Sequence, residues 1–379
     1  VQESLEIHVI ASGRKVKVCM VTTAHPALDT RIHFREAVSL AAYGYTVSTI
    51  GNHHRPETID QVRIIPLPPR PGRLKRIFLW PWVAVRLALR TKAEIFHLHD
   101  PELLLVGIAL RLLGKKIVYD SHEDYSGLIL VKDWIPHFLK SPLAWGVGFL
   151  ERTGAALFQL NIAPTDPLAR RFPRGISLYN YPTEEIRNLL MNAQQPYGKR
   201  DIDLIHVGVL RQVRLEFLLR VLVAVRASLP GIQVALIGLT KEQIATARSS
   251  MGKDSRWVLE ERLPFREVAP YLGRSKLALN YHPLEPHLRY AVPVKIFEYL
   301  GAGCVTICSH FPFLESLLGV DCPVVWVKPD PAKFACEIIS LLRDPLRGHD
   351  LSERSTACSA RFGWECEEGK LLDAYRGLA

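Results

Sequence analysis

Apolar residues recur along this chain in two registers, and the alternation between them marks strands and helices. Val16-Lys-Val-Cys-Met-Val-Thr has the nearly unbroken apolar character of a strand buried on both faces. The loop 23–31 leads into an amphipathic helix closed by Gly44, and Tyr45-Thr-Val-Ser-Thr-Ile is a second strand. Strand, helix, glycine and strand make a βαβ unit, which requires a parallel sheet. The rhythm continues with a helix over 73–92, the strand Glu94-Ile-Phe-His-Leu-His, and a helix opened by Asp100-Pro101-Glu102 with Asp as cap and Pro in its first turn. Ile117-Val-Tyr-Asp is a further strand, helical spacing covers 134–160, and Asn180-Tyr181-Pro182 is turn chemistry ahead of a polar run to Arg200.

A second series begins with the strand Asp203-Leu-Ile-His-Val-Gly, followed by a helix after Arg211 and the buried strands Val234-Ala-Leu-Ile and Val324-Val-Trp-Val. Between them, Pro293 fixes φ for a first helical turn, and Val294 to Leu300 carries apolar side chains at helical spacing. Gly301 and Gly303 end that helix, and Cys304-Val-Thr-Ile-Cys reads as a buried parallel strand. The pattern predicts an α/β protein with two Rossmann-like domains and a boundary near 180–200.

Composition agrees with two domains, because 379 residues at 48% hydrophobic exceed one ordinary core. No apolar run approaches the roughly 18 residues that span a bilayer. The N-terminal stretch carries Glu3 and Glu6 and lacks the pattern of a secretory signal. Seven cysteines, an odd number without C-x-x-C, include Cys19, Cys304, Cys308 and Cys336 inside apolar patterns. They predict buried thiols in a reducing, cytoplasmic setting and argue against a disulfide framework or a zinc cage.

The net charge of +10 changes the picture through its distribution. Residues 61–93 hold eight Lys or Arg and no Asp or Glu, mixed with Phe78, Leu79, Trp80 and Trp82. That mixture suits an anionic membrane surface, contacted through residues 73–92, better than nucleic acid. A surface helix with one core face is the alternative.

Candidate chemistry gathers where strands end, since parallel sheets bind ligands beyond their carboxyl ends. That rule selects His25, Asp29 and Arg31 after the first strand, and His122 after the strand at 117. His97 and His99 share one strand face, but no further ligand set accompanies them, and no metal is expected. Asp201-Ile-Asp203 begins a strand, the wrong end for a metal site. Free first-turn amides after Pro293 suit a phosphate or diphosphate, with Glu298 one to two turns further along to accept from a ribose diol. The alternative makes Glu298 a solvated residue and Pro293 a simple cap.

Pro293-x-Lys-x-Phe-Glu-Tyr-Leu, followed by Gly-Ala-Gly and an apolar strand, resembles the nucleotide-sugar site of retaining GT-B-fold glycosyltransferases of family four. His-Asp-Pro-Glu-Leu-Leu from His99 and the closing stretch from Arg361 are also similar to that family, so the resemblance covers nearly the whole chain. It implies two domains, 1–180 and 181–360, facing across a cleft, with a helix in 361–379 crossing back to the first. The implied activity moves a hexose or hexosamine from a nucleotide-diphosphate sugar to a lipid-linked or growing glycan acceptor, with retention, without metal or cofactor.

The same resemblance implies residue roles. The amides of Val294, Lys295 and Ile296 past Pro293, the turn after Gly208, and the cations Arg214 and Lys295 meet the diphosphate. Glu298 meets the ribose, the backbone at Arg262 and Leu263 meets the base, and His287, Arg289 and Tyr290 line the sugar pocket. His122 faces the donor sugar, while His25, Asp29, Arg31, His99 and Asp100 lie on the acceptor side. Three positions depart from the family pattern. Tyr290 replaces the first Glu of an E-x7-E pair, Val209 stands where an Arg is common, and the loop after the first strand lacks paired glycines. A sugar-nucleotide epimerase of GT-B fold, or a membrane-associated binding subunit with a decayed donor site, remain open as other classes.

Overall fold

The structure is a computed structural model that describes residues 15–69, 72–251, 256–283 and 285–378. Glu3 and Glu6 lie outside these residues, as do the side chains of Arg73, Leu74 and Arg76. The chain forms two compact units, Val1–Asn180 with Glu365–Ala379, and Tyr181–Trp364.

Among the described residues the first unit is built on eight strands, β1 (Lys17–Pro26), β2 (Thr46–Asn52), β3 (Glu57–Ile59), β4 (Val62–Pro66), β5 (Ile95–Leu98), β6 (Lys116–Asp120), β7 (Leu160–Ala163) and β8 (Gly175–Ser177), ordered β3-β4-β2-β1-β5-β6-β7-β8. Among the described residues only the β3–β4 pairing is antiparallel. Strand order reverses between β1 and β5, so the carboxyl ends of those two strands flank the place where crossovers diverge and leave a crevice. Val21, Phe96, Leu98 and Tyr119 pack with Leu104 and Phe158 in its core. The helix Trp364–Arg376 returns to this unit, where Tyr375 Oη bonds His97 Nδ1 at 2.8 Å and Glu367 accepts from the Tyr179 amide at 3.1 Å.

Local sequence accounts for three departures from the predicted elements. The helix after β1 opens with a π-helical turn over Ile32–Ala37 before Val38–Ala42, and Gly44 (φ +92°) turns the chain out of it. The helix expected over 73–92 is two, Arg73–Phe78 and Trp80–Arg90, because Pro81 has no amide to continue the first and starts the second. The helix expected over 134–160 is His137–Leu157, preceded by a short separate helix Tyr125–Leu130 and entered after Pro136.

Among the described residues of the second unit all six strands are parallel: β9 (Ile202–Val207), β10 (Val234–Ile237), β11 (Trp257–Glu260), β12 (Ser275–Asn280), β13 (Val305–Ser309) and β14 (Val325–Val327), ordered β11-β10-β9-β12-β13-β14. Here the reversal falls between β9 and β12. Alternate strand residues feed two cores, Leu204, Leu236 and Leu277 on one face and Ile205, Ala235 and Ala278 on the other.

The cysteine expectation needs correcting. Cys322 and Cys358 form a disulfide, and Cys336 is exposed together with Cys366, whereas Cys19, Cys304 and Cys308 are buried thiols as expected. Cys336 lies on the outer face of the helix Pro331–Arg343, which buries Phe334, Ala335, Ile338 and Leu341 instead.

Candidate active site

In the second unit the switch point is lined by glycines and cations. Gly208 leaves β9 at φ +109°, and a Cβ there would sit 3.0 Å from Lys295 Nζ. Gly238 (φ +101°) after β10 lets the two strand ends approach; a Cβ at Gly238 would lie 2.9 Å from the Gly208 carbonyl carbon. Lys295 is in the first turn of the helix Val294–Gly301, and Arg214 is in the first turn of Gln212–Ser228. Among the described residues neither side chain has a hydrogen-bond acceptor or an ion pair, and Arg214 Nε is a buried donor without a partner. Burial and the neighbouring Arg214 push the Lys295 ammonium down to about 8. Burial and Arg211 likewise lower Arg214. Glu298 and Glu285 pull the other way on Lys295 and Arg214 respectively, but among the described residues no carboxylate is bonded to either cation.

The helix itself is held at this strand end by Tyr299, fully buried, whose hydroxyl accepts the Val207 amide at 3.0 Å. Tyr299→Phe should cost about 1–2 kcal/mol, because it removes that buried acceptor; urea unfolding measures it. Pro293 precedes the helix without a side-chain cap. The Ile296 amide already bonds the Pro293 carbonyl at 3.1 Å, so of the three amides expected to meet a diphosphate only those of Val294 and Lys295 are left by this turn. Glu298 lies one turn on, half-buried.

Around this point the remaining expected residues take distinct positions. Arg262 is exposed and Leu263 half-buried just beyond β11, in the loop before the helix Phe265–Gly273. His287 is buried with Nε2 3.5 Å from Glu285. Arg289 stacks on the Tyr290 ring at 5.3 Å, and Tyr290 meets Phe313 edge-on at 5.5 Å. Asp201 and Asp203, the rejected metal pair, are bound to Arg274 and Lys276.

The switch point of the first unit carries a buried histidine–carboxylate network. Asp100, after β5, accepts from Thr22 Oγ1 (2.9 Å) and from the Thr23 (2.6 Å) and Ala24 (3.1 Å) amides, which ties the ends of β1 and β5 together. Its other oxygen lies 3.5 Å from His25 Nε2. His122 Nε2 is 3.1 Å from Asp120 Oδ2 and 3.2 Å from His99 Nδ1, and the His25 and His122 rings are 4.8 Å apart. Asp29 caps the chain by accepting from the Arg31 amide at 2.8 Å.

Arg31, expected to reach an acceptor, is 3% exposed. Its guanidinium grips Asp120 at 2.7 and 2.9 Å and also bonds the Leu178 carbonyl and Asn180 Oδ1. Burial alone would raise the Asp120 carboxyl; Arg31, His122 and His99 overcome it and hold the group well below its ordinary value. Burial first, then Asp120, pushes Glu36 well above the carboxylate range, and burial keeps His97 and His99 neutral. His99 and Asp100 are likewise fully buried, so of the acceptor-side set only His25 and Asp29 retain appreciable exposure.

Asp120 and Glu36 were not picked out from sequence. The available signal was an Asp closing the apolar run Ile117-Val-Tyr. Glu36, His97, His99 and Asp120 come within 4.8 Å of one another, but Arg31 already supplies the positive charge among them.

Residues 34–187 match the family model described as Glycosyltransferase Family 4, and residues 211–361 the one described as Glycosyl transferase-like. The chain belongs to the GT-B glycosyltransferases. This glycosyltransferase shares its fold with a sucrose-phosphate synthase from Thermosynechococcus elongatus (17% identity, TM-score 0.69, covering 96% of this chain and 99% of that one). It is similar also to HepE from Anabaena, solved with UDP and glucose (12%, 0.68, 96% and 100%), and to an α,α-trehalose 6-phosphate synthase from Burkholderia multivorans (13%, 0.63, 96% and 97%). No curated protein sequence matches the glycosyltransferase significantly.

Proposed function

We propose that the protein transfers a hexose or hexosamine from a nucleotide-diphosphate sugar to a glycan or lipid-linked acceptor, with retention and without a metal. The observation that carries this reading is the pair of cations, Lys295 and Arg214, left without acceptors beside Gly208 and a helix N-terminus. As the bond from sugar to phosphate lengthens, negative charge grows on the diphosphate, and preorganised cations and amides stabilise it. Glu298, one turn along, takes the ribose hydroxyls. His122, fixed by Asp120, serves the transferred sugar. That HepE was solved with UDP and glucose, and that other fold relatives are named as sugar-phosphate synthases, supports a nucleotide-sugar donor.

The test is a panel of UDP- and GDP-sugars, read by nucleotide release and by the anomeric configuration of the product. Failure of both nucleotides to bind a folded sample in calorimetry supports a decayed binding subunit instead. Conversion of a donor sugar without any acceptor supports an epimerase.

The reading extends to a membrane surface. Phe78 and Trp82, on the helices Arg73–Phe78 and Trp80–Arg90, and Leu79 between them are exposed beside exposed Lys75, Arg86 and Arg90. No described helix is long and apolar enough to cross a membrane. Neutralising Lys75, Arg86 and Arg90 should reduce sedimentation with phosphatidylserine vesicles about tenfold or more, at roughly 1 kcal/mol per basic residue; unchanged sedimentation removes the membrane from the account.

A further inference from the structure

Next to the strand end that carries His122, the first unit holds a cavity of about 440 Å³ that the reading above does not use. Its lining includes Asp124, Ser126, Trp145, Phe149, Glu151 and Arg171. Glu151 is only 6% exposed, and both of its hydrogen bonds, from Tyr119 Oη (2.8 Å) and Ser121 Oγ (3.3 Å), fall on Oε1. Among the described residues Oε2 receives none. Burial pushes this carboxyl up to about 7. That leaves Oε2 on the cavity wall as an acceptor that no described protein donor occupies, open to a hydroxyl from a guest.

The other walls say what that donor is. Asp124 caps the helix Tyr125–Leu130 by accepting from the Gly127 amide and is paired with Arg171 at 2.8 and 2.9 Å, so its oxygens are fixed in place. At the mouth, Trp145 (73% exposed) and Phe149 (56%) stack at 5.5 Å with 13° between their planes. Acidic Glu123, Asp124 and Glu151 are nearly balanced by Arg152 and Arg171, which disfavours a strongly charged guest of either sign. A flat aromatic pair above hydroxyl acceptors and a guanidinium fits a molecule with one C–H face and a rim of hydroxyls.

We propose that this cavity is a carbohydrate subsite that takes about one or two pyranose rings of a neutral glycan acceptor, stacked on Trp145 and hydrogen-bonded to Glu151 and the Asp124–Arg171 pair. It rests on the glycosyl-transfer reading, since a transferase needs an acceptor and this cavity would seat a glycan one. Glu151 and Trp145 are binding residues in this assignment, and the step at the anomeric carbon does not involve them.

The experiment uses the full chain and the methyl α- and β-pyranosides of glucose, galactose, mannose and N-acetylglucosamine as probes in saturation-transfer NMR, with UDP and GDP calorimetry alongside. At least one pyranoside should receive saturation, and its signal should fall about tenfold or more in Trp145→Ala and in Glu151→Gln, each removing on the order of 1.4 kcal/mol of binding. Trp145→Phe should keep most of the signal, which separates ring stacking from a structural role. Nucleotide affinity should be the same in all variants, because the residues of the second unit are untouched. Absence of any pyranoside signal, or equal signals in wild type and Trp145→Ala, overturns the subsite. A Trp145→Ala chain that loses vesicle sedimentation while keeping its pyranoside signal does the same and assigns the ring to a lipid surface. A wild type that binds pyranosides but neither nucleotide leaves the subsite standing and removes the glycosyl-transfer reading.

Discussion

Lys295→Met is expected to lower turnover of the nucleotide-sugar donor by about 10²–10³-fold, the usual effect of deleting one preorganised donor to a developing anion. The ammonium has no acceptor among the described residues, lies beside Gly208 where no side chain intervenes, and is repelled by Arg214. Its pKa near 8 gives the effect a pH signature. Below about 8 the group is a cation and attracts a diphosphate; above it the charge is lost. UDP or GDP affinity should therefore decline as pH rises through about 8 in the wild type and lack that decline in Lys295→Met.

Stability moves the other way. The folded pKa lies below the ordinary 10.5, so between these values the unfolded chain binds more protons and wild-type stability rises with pH. The variant should not show this rise. Turnover equal to wild type would sink the anion-site account.

Arg31→Met should destabilise the first unit by about 3–5 kcal/mol, since it leaves Asp120 as a buried charge without its partner. The guanidinium makes two bonds to Asp120, reaches the Leu178 carbonyl and Asn180, and lies 3.1 Å from Glu36. In the wild type the Asp120 pKa is depressed, so its contribution to stability is present above the ordinary carboxylate range and is lost as pH falls toward the folded value. Without Arg31, burial dominates and raises that pKa, so the variant should lose stability as pH rises instead. Urea unfolding at pH 5 and pH 8 reads the reversal, and adding Asp120→Asn should restore part of the loss. A cost under about 1 kcal/mol would mean that Asp120 is solvated, contrary to its burial.

The helix Val294–Gly301 was legible because everything that forms it is local: Pro293 at its entrance, apolar spacing along it, and Gly303 at φ +66° beyond it. The βαβ units were legible for the same reason. The break at Leu79 was missed although Pro81 announces it, because apolar spacing continues across the break and periodicity outweighed a single residue. Lys295 and Arg214 could be named from sequence through the family pattern, but their lack of acceptors could not, since that depends on every side chain that comes near them.

Arg31 illustrates the opposite outcome. Its place in a loop after a strand suggested exposure, yet Asp120, 89 residues further on, takes its guanidinium into the interior. The Cys322–Cys358 bond spans 36 residues, and the Tyr375–His97 bond spans 278. Sequence alone determined most of the strands and helices, the largely parallel sheets and the strand ends where chemistry gathers, because short-range sterics and burial periodicity act over a few residues. Only the tertiary structure decided which charges are neutralised, which cysteines meet, and which polar atoms are left facing a cavity, because solvation and Coulomb energies depend on distances in space that no local pattern encodes.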